Sequence, residues 1–210
     1  MPAVMQQVLA AGGPSAAVTY VGSSSSASTT LTVPTHQAGD LIIIAARRSG
    51  NVTPPSLPAG WTDIQSGGAD IFSSRVAYIV ASGSGTSSGT WTNASHLTCV
   101  VYRPINGTLS IGASAAANGT GASVSWSALT LAATNGLSWV AGFYLSSASS
   151  LPTVARSDLT ARVYQVGIST IVNAAGDTNA PVTSWSSDTT TGPDPNTWRT
   201  VAVEIQITPT

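Results

Sequence analysis

The stretch "PTHQAGDLIIIAARRSG" (residues 34–50) decides the reading of the chain. It is a turn, then a run apolar on both faces, then an abrupt polar stop. Residues 41–46 (LIIIAA) are rich in β-branched side chains and too short for a free-standing helix, so they predict a strand with both faces covered. Asp40 follows Gly39 and precedes the strand, where its carboxylate orders the turn through the backbone. Nearly one hundred residues later the same plan returns as "LAATNGLSWVAGFYLSS" (residues 131–147).

Other segments repeat in the same order. Leu31-Thr-Val leads into the first central strand, and Leu129-Thr-Leu into the second. An Arg-bearing strand (74–78, against 161–164) and a Gly/Ser-rich loop ending in Trp (Trp91, against Trp185) come next. Each half closes on an apolar strand, 97–102 and 200–207. A period of roughly 95 residues is too long for a solenoid and fits a duplicated unit of four or five strands. Each unit has one apolar face, and burying the two together makes a sandwich. The expected fold is therefore all-β: a two-sheet antiparallel β-sandwich, jelly-roll-like, built from two similar halves. The expected organisation is an N-terminal arm (1–16) and a single domain (17–210), with pseudo-repeats at about 28–110 and 123–208. Two small sandwiches in tandem are the alternative.

Strands are expected at 17–21, 28–33, 41–46, 71–81, 97–103, 123–131, 137–145, 159–171 and 198–207. In the last, Val201, Val203, Ile205 and Ile207 face in, and Ala202, Glu204 and Gln206 face out. The segments 53–61, 82–91, 116–123 and 191–198 read as loops from their Gly, Pro and Asn.

Composition narrows the function. Only 7% of the 210 residues are charged and the net charge is −1. All seven basic residues are Arg, and Glu204 is the sole Glu. Seven scattered Arg cannot track a phosphate backbone, which argues against nucleic acid as a partner. No run of apolar residues is long enough for a membrane helix. The sequence "MPAVMQQVLAAGG" lacks the basic start and apolar length of a signal peptide, so a product made in the cytoplasm is expected. Cys99, the only cysteine, lies in an apolar strand and reads as a buried thiol.

Residues with chemical potential are few. Gly85-Thr-Ser87-Ser-Gly89 matches the string of a nucleophile elbow, but that device needs a strand-to-helix turn plus His and acid partners. His36 and His96 have no neighbour at metal-ligand spacing and read as surface turn residues. Asp188, Asp194 and Asn196 share a loop without calcium-loop spacing. No catalytic, cofactor or metal site is expected, and the chain is read as a non-enzyme. Trp91, Trp185 and Trp198 are the candidates for stacking a sugar, against the plainer reading that such residues plug the ends of a sandwich. Arg47 and Arg48 mark where the first central strand leaves the core and are the candidate inter-subunit contact.

The run "LTVPTHQAGDLIIIAA…PAGWTDI…SRVAYIVASGSG…TWTNASHLTCVVYR" resembles β-sandwich structural proteins of tailed bacteriophages. Thr32, Val33, Gly39, Asp40, Leu41, Pro58, Gly60, Trp61, Thr62, Tyr78, Tyr102 and Arg103 carry the resemblance, over the first half of the chain. It implies a virion component: a compact capsid decoration (cement) subunit, or a connector or tail-associated part. Such a subunit acts by packing against other virion proteins, as a homo-oligomer for which a trimer is the guess by fold analogy. A carbohydrate-binding adhesin or fibre module using exposed aromatics is the alternative.

Overall fold

The computed structural model describes residues 15–133, 135–147, 156–166, 172–192 and 197–210. Its described residues form strands and no helix. The first sheet holds β1 (Ala17–Ser26), β2 (Leu41–Ser49), β3 (Thr62–Ala69), β4 (Phe72–Val80) and β5 (His96–Ile105), in the order β1-β5-β2-β4-β3. The second holds β6 (Gly107–Thr120), β8 (Trp139–Ser146), β9 (Thr160–Val166), β10 (Val172–Asp177) and β12 (Thr197–Pro209), in the order β6-β12-β8-β10-β9. A short pair, β7 (Ser123–Trp126) with β11 (Asp188–Thr191), stands apart. All pairings are antiparallel.

The two sheet orders are the same when β1, β2, β3, β4 and β5 are matched to β6, β8, β9, β10 and β12. Each half of the chain thus makes one whole sheet, and the sheets face one another as an all-β sandwich. A jelly roll instead shares its strands between two sheets through Greek keys. The central strands β2 and β8 are equivalent, as are the closing strands β5 and β12. The Arg-bearing strands are not: Arg75 lies on β4, whose counterpart is β10, whereas Arg162 lies on β9.

One core lies between the sheets, with Leu41, Ile43, Phe72, Val76, Val100 and Tyr102 meeting Trp139, Phe143, Leu145, Val201, Val203 and Ile205. Each sheet is also covered on its outer face. Leu31, Val33, Trp91 and Ala94 lie over Ile42, Ile44, Cys99 and Val101. On the other side Trp126, Leu129, Leu159 and Trp185 lie over Val140, Tyr144 and Ala202. Gly142 makes this second cover tight, since a Cβ there would stand 2.5 Å from Leu159 and 3.1 Å from Trp126. Two covers explain why β2 and β8 are apolar on both faces: neither face meets water.

Several sequence expectations change. Residues 17–26 form one strand through "GSSSS", with a register shift between Tyr20 and Gly22, because Ser23 to Ser26 find partners on β5. Residues 28–33 are cover rather than strand and touch a ladder only where Thr32 bridges Ser87. Strands β3, β6, β10 and β11 were not expected at all. They are Gly, Ala, Ser and Thr rich, with no apolar alternation to reveal them. The loop expected at 116–123 narrows to the turn at Gly121, where φ is +102°.

Candidate functional site

Carboxylates carry the first candidate chemistry, and three of those described are fully buried. Asp40 accepts two hydrogen bonds from Arg103, Nε at 2.9 Å and Nη2 at 2.7 Å. It also accepts the Gln37 N–H at 2.9 Å, which makes it the turn-former at the entry to β2. Asp177 is clamped in the same way by Arg162, with both contacts at 2.8 Å. The Tyr102 hydroxyl donates to it from the opposite sheet at 3.1 Å. Arg162 in turn lies 4.1 Å from the centre of the Tyr20 ring, so this cluster ties β1 and β5 to β9 and β10.

Glu204 lies on the outward face of β12 as the alternation predicts, but that face is covered and does not meet solvent. It sits at the register shift between Val203 and Ile205, points to the outer side of β12 and is fully buried. Its oxygens accept the N–H groups of Ala113 and Ala132 at 2.8 Å and Ala133 at 3.1 Å, and the Ser138 hydroxyl at 2.6 Å. Burial alone would raise its pKa, but these four donors outweigh burial and hold it below the ordinary glutamate value. With their oxygens taken up by the scaffold, these three acids are poorly placed to move a proton to or from a ligand.

The Ser87 hydroxyl accepts the Gly89 N–H at 3.2 Å and meets no His or carboxylate among the described residues. It borders a groove of about 470 Å³ between β1 and the cover, where eight of nine lining residues carry a hydroxyl and the ninth is Leu31. No aromatic or charged residue lines it. His36 and His96 are both buried rather than exposed in turns. The His36 Nδ1 is 2.7 Å from the Pro34 carbonyl oxygen, and His96 stands opposite Arg47 on the adjacent strand.

The three candidate sugar-stacking rings offer no face to a ligand. Trp91, Trp185 and Trp198 are 0%, 3% and 5% exposed. Trp91 meets Trp61 edge-on with centroids 5.1 Å apart, and Trp185 carries the Arg156 guanidinium 3.8 Å over its ring. The Trp185 N–H donates to the Ser127 carbonyl at 3.2 Å, as expected of a plugging residue. The two candidate contact arginines separate. Arg47 is 2% exposed, 4.5 Å over the Phe72 ring, while Arg48 is half-buried and donates to the Thr53 carbonyl at 3.3 Å. Only Arg48 presents surface to a neighbour. Cys99 is fully buried, and burial raises its thiol pKa.

No group of three or more metal-ligating side chains occurs among the described residues. Asp188 lies 3.8 Å from Arg156; Asp194 and Asn196 fall outside the described residues, as does most of the expected N-terminal arm. No helix among the described residues is long and apolar enough to cross a membrane. Comparison with protein-family models, with curated proteins and with solved structures finds no match.

The remaining structural feature with reach beyond the chain is its edges. Sheet one ends in β1 and β3, and sheet two in β6 and β9. Strand β6 runs for 14 residues, GTLSIGASAAANGT, paired on one side to β12, with no charge and no Pro. Edge strands of free monomers are usually short, charged or broken by Pro, because an unguarded edge recruits another strand.

Proposed function

We propose that this chain is a structural subunit of a tailed-bacteriophage particle, a compact capsid-decoration or connector- or tail-associated part. It works by pairing and packing with other virion proteins and with copies of itself, and turns over no substrate. The observation that carries this reading is the long, uncharged edge of β6, covered in its middle only by side chains, the Gln65 amide on the Ser114 carbonyl and the Ser127 hydroxyl on the Ala116 carbonyl. Three findings lend support. The buried acids are consumed in holding the fold. The surface is too sparsely charged to keep a concentrated monomer apart. The Gly-Asp-Leu and Pro-x-Gly-Trp-Thr segments resemble virion sandwich proteins. The adhesin reading loses its main support with the burial of its three tryptophans. Mass spectrometry and cryo-electron microscopy of purified particles test the proposal. Repeated, symmetry-related copies are expected; a particle lacking the chain would sink the idea.

A further inference from the structure

We propose that one end of the space between the sheets is a binding site for a small oxyanion, held by Arg47 and Arg199. The register of the strands places the residues. Arg47 on β2 stands opposite His96 on β5 and near Ser74 on β4, and Ser74 stands opposite Gly67 on β3. In the other sheet Arg199 on β12 stands opposite Leu145 on β8, which stands opposite Asn173 on β10. The strand period of two puts these side chains on the inner face, in line with Ala45, Val76, Val100, Val201 and Ala175 of the shared core. The two rows meet where the Arg199 guanidinium lies on Gly67. A Cβ at Gly67 would stand 2.9 Å from Nη1 and 3.0 Å from Nη2, so the missing side chain is what admits the cation.

These polar groups are buried and short of partners. Arg47, Arg199, His96 and Asn173 are 2%, 5%, 7% and 1% exposed. Of ten buried side-chain N or O atoms lacking a hydrogen-bond partner among the described residues, seven belong to this end. They are Arg47 Nε, Ser74 Oγ, His96 Nδ1, Thr98 Oγ1, both amide atoms of Asn173, and Arg199 Nε. Buried polar groups are ordinarily satisfied, and so dense a set of exceptions needs a cause.

Charge says what the missing partner is. Arg75, Arg103, Arg156 and Arg162 each have an aspartate. Neither Arg47 nor Arg199 forms an ion pair with any described carboxylate; Arg47 lies over the Phe72 ring and donates from Nη1 to the neutral Ser49 hydroxyl at 2.6 Å. Burial lowers the pKa of Arg47 to about 10 and that of Arg199 in the same direction, so both stay charged at neutral pH. Two enclosed guanidinium forks repel a metal ion and match the several acceptor oxygens of a phosphate, sulfate or carboxylate. Hydroxyl and amide donors from Ser74, Thr98 and Asn173 complete the set.

The test is melting of the intact chain in phosphate, sulfate or acetate, against chloride at equal ionic strength, with calorimetric titration of the same ions. A saturable rise in melting temperature with at least one oxyanion is expected. Which ion acts distinguishes a tetrahedral from a planar ligand. Arg47→Met and Arg199→Met each weaken binding about tenfold or more, while Arg48→Met leaves it unchanged. Should either arginine variant fail to fold, Ser74→Ala and Asn173→Leu are expected to weaken binding in calorimetry. Stabilisation no greater than in chloride overturns the proposal, and so does an oxyanion effect that survives both arginine substitutions.

Discussion

At the scale of single residues, Glu204 shows how far a side chain's surroundings can reverse its expected role. A carboxylate on the polar side of an alternating strand reads as solvent-facing, and here Ala132, Ala133 and Ser138 come over it and donate hydrogen bonds. Glu204→Gln sets an amide NH₂ against those donors and is expected to cost about 1–3 kcal/mol near neutral pH. The pH dependence follows from the lowered pKa. A carboxyl whose folded pKa lies below its unfolded value stabilises fully above the unfolded value, about 4.3, and loses that contribution as pH falls through the folded one. The stability gap between wild type and Glu204→Gln, from urea midpoints, should therefore be widest near neutral pH and narrow as the pH falls below the unfolded value of about 4.3. A gap that stays constant would contradict the hydrogen-bonded anion. Gly112 belongs to the same site, since a Cβ there would stand 2.6 Å from Gln206 Nε2 and closer still to the carboxylate. Gly112→Ala should cost about 1–3 kcal/mol through displacement of Glu204, measured by thermal melting.

At the scale of elements, strands differ in how much of their identity is local. Strands β2 and β8 announce themselves by continuous apolar runs, and β12 by clean alternation, because each has core on at least one face along its length. Strand β6 has no such mark. Ala113, Ala115 and Ala117 fit under Val124 and Trp126 of β7, and only the twelve-residue register with β12 makes it a strand. The same holds for β3 and β10, whose small residues leave room for Arg199 at Gly67 and for the bulge at Ala175 and Gly176. The side of β6 away from β12 is where association is expected. Ser110→Lys with Asn118→Lys places two charges on exposed positions of this edge. Light scattering should then show a smaller mass than wild type at equal concentration, with the melting temperature little changed. Equal masses would move the interface elsewhere.

At the scale of the whole molecule, the two halves are bound by a shared core and by polar ties that cross it. Neither sheet can bury its inner face without the other. Urea unfolding followed by tryptophan fluorescence and by circular dichroism should give one coincident transition, although Trp91 reports on one sheet and Trp139, Trp185 and Trp198 on the other. Two separated transitions would mean that the halves fold independently. Asp177→Ala removes the acceptor shared by Tyr102 and Arg162 and leaves a largely buried guanidinium without its carboxylate. A loss of about 3–5 kcal/mol is expected from the same unfolding curves, and a smaller loss for Tyr102→Phe.

The amino-acid sequence by itself determined that the fold is all-β, that it has two central strands with both faces covered, and that it closes on alternating strands. Those features depend on the spacing of apolar side chains along one strand, which is local information. Asp40 as a turn residue and Cys99 as a buried thiol were legible for the same reason. Tertiary structure alone decided what lies across from what. Strand β6 exists because β12 pairs with it, and Glu204 is buried because a distant loop covers it. Arg47 and Arg199 share one end of the core because two registers and a bare glycine bring them there. Pairing partners and desolvation are properties of residues far apart in the chain, and no short window of sequence contains them.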